Sequence, residues 1–224
     1  MNAEYEEVKI LYERLSYLEA YSKHTDLRVS RNPETAVGGM WEEIGLLQFD
    51  FIRNQGLKRQ HSLLDIGCGT LRGGRHFIAY LQESKYFGTD ISEGAIVFLR
   101  QLALREGLMD KLPVLHVDED LSMDFCGLGA PRFDYILAQS VFTHLQEKHV
   151  EQVIRNVKLV MSVTSRFFFT FLEHPMYEGV SHKDFYHQRQ VFDKFAVQFG
   201  FSVKDYTSKY VHPRGHTMLE FTLK

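Results

Sequence analysis

Apolar residues along this chain recur in two rhythms. Near the start they follow helical spacing: Val8, Leu11, Leu15 and Leu18 stand among charges over residues of about 3–22. A second amphipathic stretch, MWEEIGLLQFDFIRNQG, sets Trp41, Ile44, Leu47, Phe51 and Ile52 on one face, with Gly56 placed to stop the helix. Between the two, SRNPETAVGG reads as a mobile connection. From Ser62 onward, apolar runs of strand length alternate with helical segments. SLLDIG, KYFGTD, LPVLHVDED, RFDYILAQS and SRFFFTFLE read as five successive strands. Helices are predicted through RHFIAYL, from the N-cap Ser92 to Gly107, through KHVEQVIRNVKLVM and through QVFDKFAVQFG. Two further strands, FSVKDYT and HTMLEFTLK, follow with only a loop holding HPRG between them.

Strands alternating with helices imply an α/β fold: a doubly wound, mostly parallel sheet covered on both faces. Because no helix separates the final two strands, the last one is expected to run antiparallel. The chain divides into an N-terminal helical extension and lid, residues 1–57, and a ligand-binding domain, residues 58–224. Composition narrows the partners. The 224 residues carry a formal net charge of −3 with no run of Lys and Arg, so no nucleic-acid partner is expected. The longest strongly apolar run, FFFTFL, is far too short to span a bilayer, so no membrane partner is expected either. The first residues, MNAEYEEVKI, lack an apolar leader segment, and two cysteines make no secreted scaffold; a cytoplasmic protein is expected. The first helix either pairs with a second subunit, giving a homodimer, or docks on its own domain.

Candidate chemistry gathers where the strands end. In LLDIGCGTLRGGRHFIAYL, Gly67 and Gly69 sit where a tight strand-to-helix turn needs residues without a Cβ. A dinucleotide fingerprint would require a glycine at position 72, which is Arg72 here. Asp65, directly ahead of the turn, would repel phosphates and suits a ligand with an amine or other positive charge. Asp90, at the end of the second strand, can accept both hydroxyls of a ribose. In the acid cluster Asp118, Glu119 and Asp120, a carboxylate can accept from an adenine amine. Together these acids favour a phosphate-free, positively charged adenosine ligand.

The successive stretches LLDIGCGT, YFGTDIS, HVDEDL and FDYILAQSVFTHL resemble, in order and spacing, the motifs of the class I S-adenosylmethionine-dependent methyltransferases. The resemblance spans roughly Trp41 to the C-terminus. It implies a Rossmann-like, seven-stranded sheet with an antiparallel last strand, and methyl transfer from S-adenosyl-L-methionine. It further implies that Asp65, Gly67, Cys68, Gly69 and Thr70 lie near the methionine part of the donor and that Asp90 binds its ribose. Ile91 would pack on the adenine, Asp118 or Glu119 would lie near its amine, and the backbone at Gln139 would help hold the donor. One departure stands out: where the family's loop often has a third glycine, this chain has Leu71.

His144, in SVFTHL, is expected at the rim where an acceptor meets the methyl group, either as a proton acceptor or as a residue packing the next helix. The segment EHPMYEGVSHKDFYHQ reads as a substrate-facing loop and offers His187 as a second base. Trp41, Phe142, Tyr177 and Tyr186 are expected to shape an apolar acceptor pocket, and the Trp41 helix, hinged at Gly38 and Gly39, to cover the donor. Histidine spacings match no compact metal motif, and Gln139 and Ser140 stand where metal-dependent catechol-type enzymes carry an acid, so no metal is expected. The leading expectation is methyl transfer to oxygen or nitrogen of a small molecule. Competing readings are a non-catalytic S-adenosylmethionine-binding protein and an NAD-dependent reductase.

Overall fold

The computed structural model describes residues 3–129 and 132–224. Four N-terminal helices come first: α1 (Ala3–Arg14), α2 (Tyr17–Arg31), the short α3 (Pro33–Ala36) and α4 (Trp41–Asn54). They lead into β1 (Leu63–Ile66), α5 (Gly74–Tyr80), β2 (Tyr86–Asp90), α6 (Glu93–Arg105), β3 (Val114–Val117), β4 (Phe133–Ala138) and α7 (Glu147–Leu159). The chain then forms β5 (Met161–Glu173), β6 (Glu178–Gly179), β7 (Phe185–His187), α8 (Arg189–Phe199), β8 (Phe201–Asp205) and β9 (Thr217–Leu223).

The N-terminal region differs from the reading of one long helix and a mobile connection. The helix breaks at Ser16, whose backbone N–H donates to the Glu19 carboxylate at 3.0 Å and so starts α2 afresh. The supposed connection is helical as well: α2 runs to Arg31, and the Asn32 side chain then accepts from the N–H groups of Glu34 and Thr35, with Pro33 in the first helical position of α3.

The main sheet has the order β3-β2-β1-β4-β5-β9-β8, parallel except for β9, which runs antiparallel between β5 and β8. Its seven strands match the expected architecture. Two short strands add to it. β5 outruns β4, and its last residues, Leu172 and Glu173, pair in parallel with Tyr186 and His187 of β7, which carries β6 as a hairpin. The segment read as a substrate-facing loop thus holds an ordered ribbon over the carboxyl end of β4.

Side chains of β5 alternate between two cores, as a pleated strand covered on both faces requires. Phe167, Phe169 and Phe171 pack with α7 and α8 through Val153, Val157 and Phe192, whereas Phe168 packs with Phe51 of α4 and Tyr206. Each fully buried aromatic of this kind contributes about 1.5–3 kcal/mol from apolar burial. Leu18 of α2 joins the first core, and Phe51 and Ile52 of α4 join the second. No helix among the described residues is long and apolar enough to cross a membrane.

Helix α2 lies across the carboxyl ends of the strands and is fixed there by polar contacts. Asp26 accepts from the Ser92 hydroxyl (2.7 Å) and the Gly94 N–H (2.9 Å) at the start of α6, where a negative group also meets the positive end of the helix dipole. Ser22 donates to the Ile91 carbonyl at 2.7 Å, and the Tyr17 hydroxyl donates to the His144 carbonyl at 2.6 Å. Asp26→Ala is expected to cost about 1–2 kcal/mol, read as a drop of several degrees in thermal unfolding. An unchanged midpoint would mean that packing alone holds α2.

Candidate active site

The turn after β1 takes a left-handed path. Gly67, Gly69 and Leu71 have φ of 65°, 55° and 67°. A Cβ on Gly67 would come within 2.6 Å of a Val141 methyl group, and one on Gly69 within 2.7 Å of Val37. Both positions therefore exclude a side chain for conformational and for steric reasons. Leu71 keeps the conformation a glycine would adopt easily; its fully buried side chain packs in the second core, offsetting strain of about 1–2 kcal/mol. The departure from the family pattern changes the residue and preserves the turn.

This turn forms one wall of a cavity of about 500 Å³. Asp65, Gly67, Cys68, Gly69, Asp90, Ile91, Asp118 and Gln139 all line it, as do His144 and Tyr186. Asp90 accepts from the Gly69 N–H and the Ser92 N–H, each at 2.9 Å, which ties the glycine turn to the end of β2. Burial pushes its carboxyl above the ordinary range, although these N–H groups work against the shift. Asp65 accepts from the Tyr86 hydroxyl at 2.7 Å. Burial, with Asp90 adding to it and the Tyr86 bond opposing, raises Asp65 to about 7. The Cys68 thiol is pushed well up by burial and by both carboxylates, which removes it as a nucleophile. Asp118 accepts from the backbone N–H groups of Ser122 (3.2 Å) and Met123 (2.6 Å), and so also fastens its own loop.

Two dehydrated carboxylates beside a backbone cradle without room for a Cβ fit a compact cation. The buried Arg72 completes this end: it donates to the carbonyls of Val37 (2.7 Å) and Gly39 (3.1 Å), while its Nε finds no partner. An adenosine compound bearing a sulfonium, an ammonium and a carboxylate would find a counterpart for each charge.

At the other end, His144 lies in the 3₁₀ turn Phe142–His144 after β4. Its Nδ1 faces the Lys183 carbonyl at 2.9 Å and the Asp184 carboxylate at 3.0 Å. A carbonyl only accepts, so Nδ1 carries the proton and Nε2 is the basic nitrogen. Burial holds the imidazole below its usual range, against the pull of Asp184, and keeps it neutral at neutral pH.

Several residues expected at the site lie outside the cavity. His187 is fully buried, with Nε2 at 2.9 Å from the Phe142 carbonyl; on β7 its neighbour Tyr186 faces the cavity and His187 therefore faces the core. Phe142 is fully buried against Phe169 and Phe192. Trp41 packs beneath Arg75, 5.6 Å from the ring centroid, and the same helix reaches the cavity through Gln48 instead. Tyr177 is exposed and stacks on Phe185, and Glu119 is exposed. Thr70 is buried and donates to the Pro33 carbonyl at 3.1 Å. The cavity is roofed by Leu18, Tyr21, Thr25 and Arg28 of α2 and by residues 36–38, in place of the Trp41 helix. Lining residues that sequence reasoning did not single out include Asp184, Lys183, Arg214 and His216. None carries a local motif; only the folding back of β6–β7 and of the β8–β9 loop brings them here.

Because Asp65 titrates near neutrality in the free protein, a cationic ligand meets a neutral carboxyl below that point and a carboxylate above it. S-Adenosylhomocysteine, which carries the ammonium, should bind more tightly as pH rises from about 6 to about 8, approaching tenfold per unit on the acid side. Asp65→Asn should flatten the profile. Calorimetric titration across pH measures this, and an affinity that is flat or falls in the wild type contradicts it.

A family model described as a methyltransferase domain matches residues 64–166. Among solved structures, the chain is similar to magnesium protoporphyrin IX methyltransferase from Synechocystis PCC 6803 with bound S-adenosylmethionine, at TM-score 0.67 and 16% identity over 94% of this chain and 98% of that one. It is similar to phosphoethanolamine N-methyltransferase 2 of Haemonchus contortus, in complex with phosphomonomethylethanolamine and S-adenosylhomocysteine, at TM-score 0.68 and 13% identity over 95% of this chain and 61% of that one. A third, an S-adenosylmethionine-dependent methyltransferase from Clostridium acetobutylicum ATCC 824, matches at TM-score 0.65 and 10% identity over 88% and 98% of the two chains. At such identities the structural likeness establishes the fold, and the domain match covers the glycine turn, the acids after β2 and β3, and β4. Residues 64–166 thus form a methyltransferase domain, and the chain carries the fold of S-adenosylmethionine-dependent methyltransferases.

Proposed function

We propose that this enzyme methylates oxygen or nitrogen of a small molecule, with His144 taking the proton that the acceptor loses. One observation carries the reading: a single roofed cavity holds the acid-rimmed glycine turn at one end and the oriented His144–Asp184 pair at the other. Its volume of about 500 Å³ lies in the range of small-molecule sites.

When bound, S-adenosylmethionine supplies an electrophilic methyl group on a sulfonium. Asp65 and the Gly67–Gly69 backbone hold the amino-acid part, Asp90 the ribose, and Ile91 and Asp118 flank the adenine. Helix α2 excludes water from above. With donor and acceptor confined together, alignment alone supplies an effective molarity of about 10⁵–10⁸ M in favourable cases. His144 Nε2 accepts the proton, and Asp184 holds the ring and stabilises the imidazolium that results. Such a base adds about 10²–10⁴-fold in rate. Tyr186 and Tyr21, also at the cavity wall, give the acceptor apolar contact.

The test is a screen of phenolic, carboxylic and amine acceptors read by S-adenosylhomocysteine release, followed by variants. His144→Ala should lower kcat about 10²–10⁴-fold and leave the affinity for S-adenosylhomocysteine intact, whereas Asp90→Ala should weaken that affinity about tenfold or more. Unchanged turnover in His144→Ala removes it as the base, and normal affinity in Asp90→Ala misplaces the ribose.

A further inference from the structure

The cavity separates its charges. Asp65, Asp90 and Asp118 follow β1, β2 and β3 on one half of the sheet. Elsewhere on its wall three cations come in from separate elements: Lys183, whose carbonyl meets His144, from the turn before β7, and, close enough to act on its amine, Arg28 from α2 and Arg214 from the β8–β9 loop. Among the described residues neither Arg28 nor Arg214 pairs with a carboxylate. Arg28 donates to the Thr35 carbonyl at 2.7 Å, and Arg214 donates to the Gly38 carbonyl. Lys183 shares Asp184, at 2.9 Å, with His144. Three positive charges thus meet one negative charge at the cavity wall, with Arg28 and Lys183 partly buried and Arg214 exposed.

The surroundings register that excess. Burial pulls the Lys183 amine below its ordinary range; Asp184 opposes this, and Arg28 and Arg214 reinforce it. His212 and His216, stacked with centroids 3.9 Å apart, are held at about 4 and about 3, chiefly by burial and further by Arg72 and Arg214. Both rings are neutral, so they present polar nitrogens without adding charge; the His212 Nε2 is buried and has no partner. Arg72, which holds residues 37–39 together with Arg214 and lies nearer Asp65, would take the donor's own carboxylate.

Resting on the reading of this cavity as a joint donor and acceptor site, we infer that the methyl acceptor is itself an anion, a small molecule bearing a carboxylate or phosphate group that Arg28, Lys183 and Arg214 hold beside His144. Arginine suits this role because its planar fork matches two oxygens of a carboxylate or phosphate. Fixing the anionic end would set the distance of the nucleophilic atom from His144 and so select acceptors by length. It would also cancel the repulsion among the cations.

The experiment uses the full chain saturated with S-adenosylhomocysteine and titrates three probes of similar size: 4-hydroxybenzoate, phenyl phosphate and the neutral 4-hydroxybenzamide. At least one anion is expected to bind about tenfold or more tightly than the amide; which of the two does so distinguishes a carboxylate from a phosphate site. Arg214→Gln and Lys183→Met should abolish the preference, Arg214→Lys should keep part of it, and the affinity for S-adenosylhomocysteine should stay within about twofold. Thermal unfolding of each variant with S-adenosylhomocysteine confirms the fold. Amide and anions binding equally, or none of the three binding, overturns the inference. So does a loss of S-adenosylhomocysteine affinity in the variants while the anion preference survives, since these cations would then serve the donor's carboxylate. If S-adenosylhomocysteine fails to bind the wild type, the reading of the cavity falls first and takes this inference with it.

Discussion

Holding carboxylates out of water is the constraint on which this structure turns. Asp65 and Asp90 are placed by the ends of adjacent parallel strands and line the cavity that α2 roofs. Alone, that burial is unfavourable, and both carboxyls shift upward because of it. The structure offsets part of the cost with the Tyr86 hydroxyl and with the N–H groups of Gly69 and Ser92. Both carboxyls still stand above their ordinary range, so a cationic group at this wall of the cavity would be favoured.

The roof belongs to the same design. Helix α2 meets the rest of the domain through Asp26 at the start of α6, through Ser22, and through an aromatic group in which Tyr17 stacks on His149 and meets Phe185 edge-on. Beyond it, residues 37–39 are gripped by Arg72 from the glycine turn and by Arg214 from the β8–β9 loop. Two arginines from separate elements thus hold one short stretch of backbone.

Most of the scaffold was legible in the sequence because its signals are local. Ser92 caps α6 by accepting from the Ala95 N–H, Gly107 and Gly200 take left-handed conformations after α6 and α8, and the phenylalanines of β5 alternate between two cores. The acid-lined wall of the cavity was legible for the same reason: each of its acids lies within a few residues of a strand terminus. The wall around Lys183 and Asp184 was not. In the stretch between β5 and α8, Gly, Pro and several His mask a two-stranded ribbon, and only the pleat of β7 separates Tyr186, facing the cavity, from His187, facing the core. Asp184 acquires its meaning from His144, a contact across 39 intervening positions that the neighbouring Lys183 carbonyl shares. The helix break at Ser16 did have a local signal, the Ser-x-x-Glu pattern ending at Glu19, overlooked beside the leucine periodicity.

The most direct measurement is a crystal structure with S-adenosylhomocysteine. The account predicts that the nucleoside lies beneath α2 with its ribose hydroxyls on Asp90 and its amino-acid part against Asp65 and the glycine turn, leaving the space beside His144 free. Density for the compound at another place, with Asp65 and Asp90 open to bulk water, would contradict it.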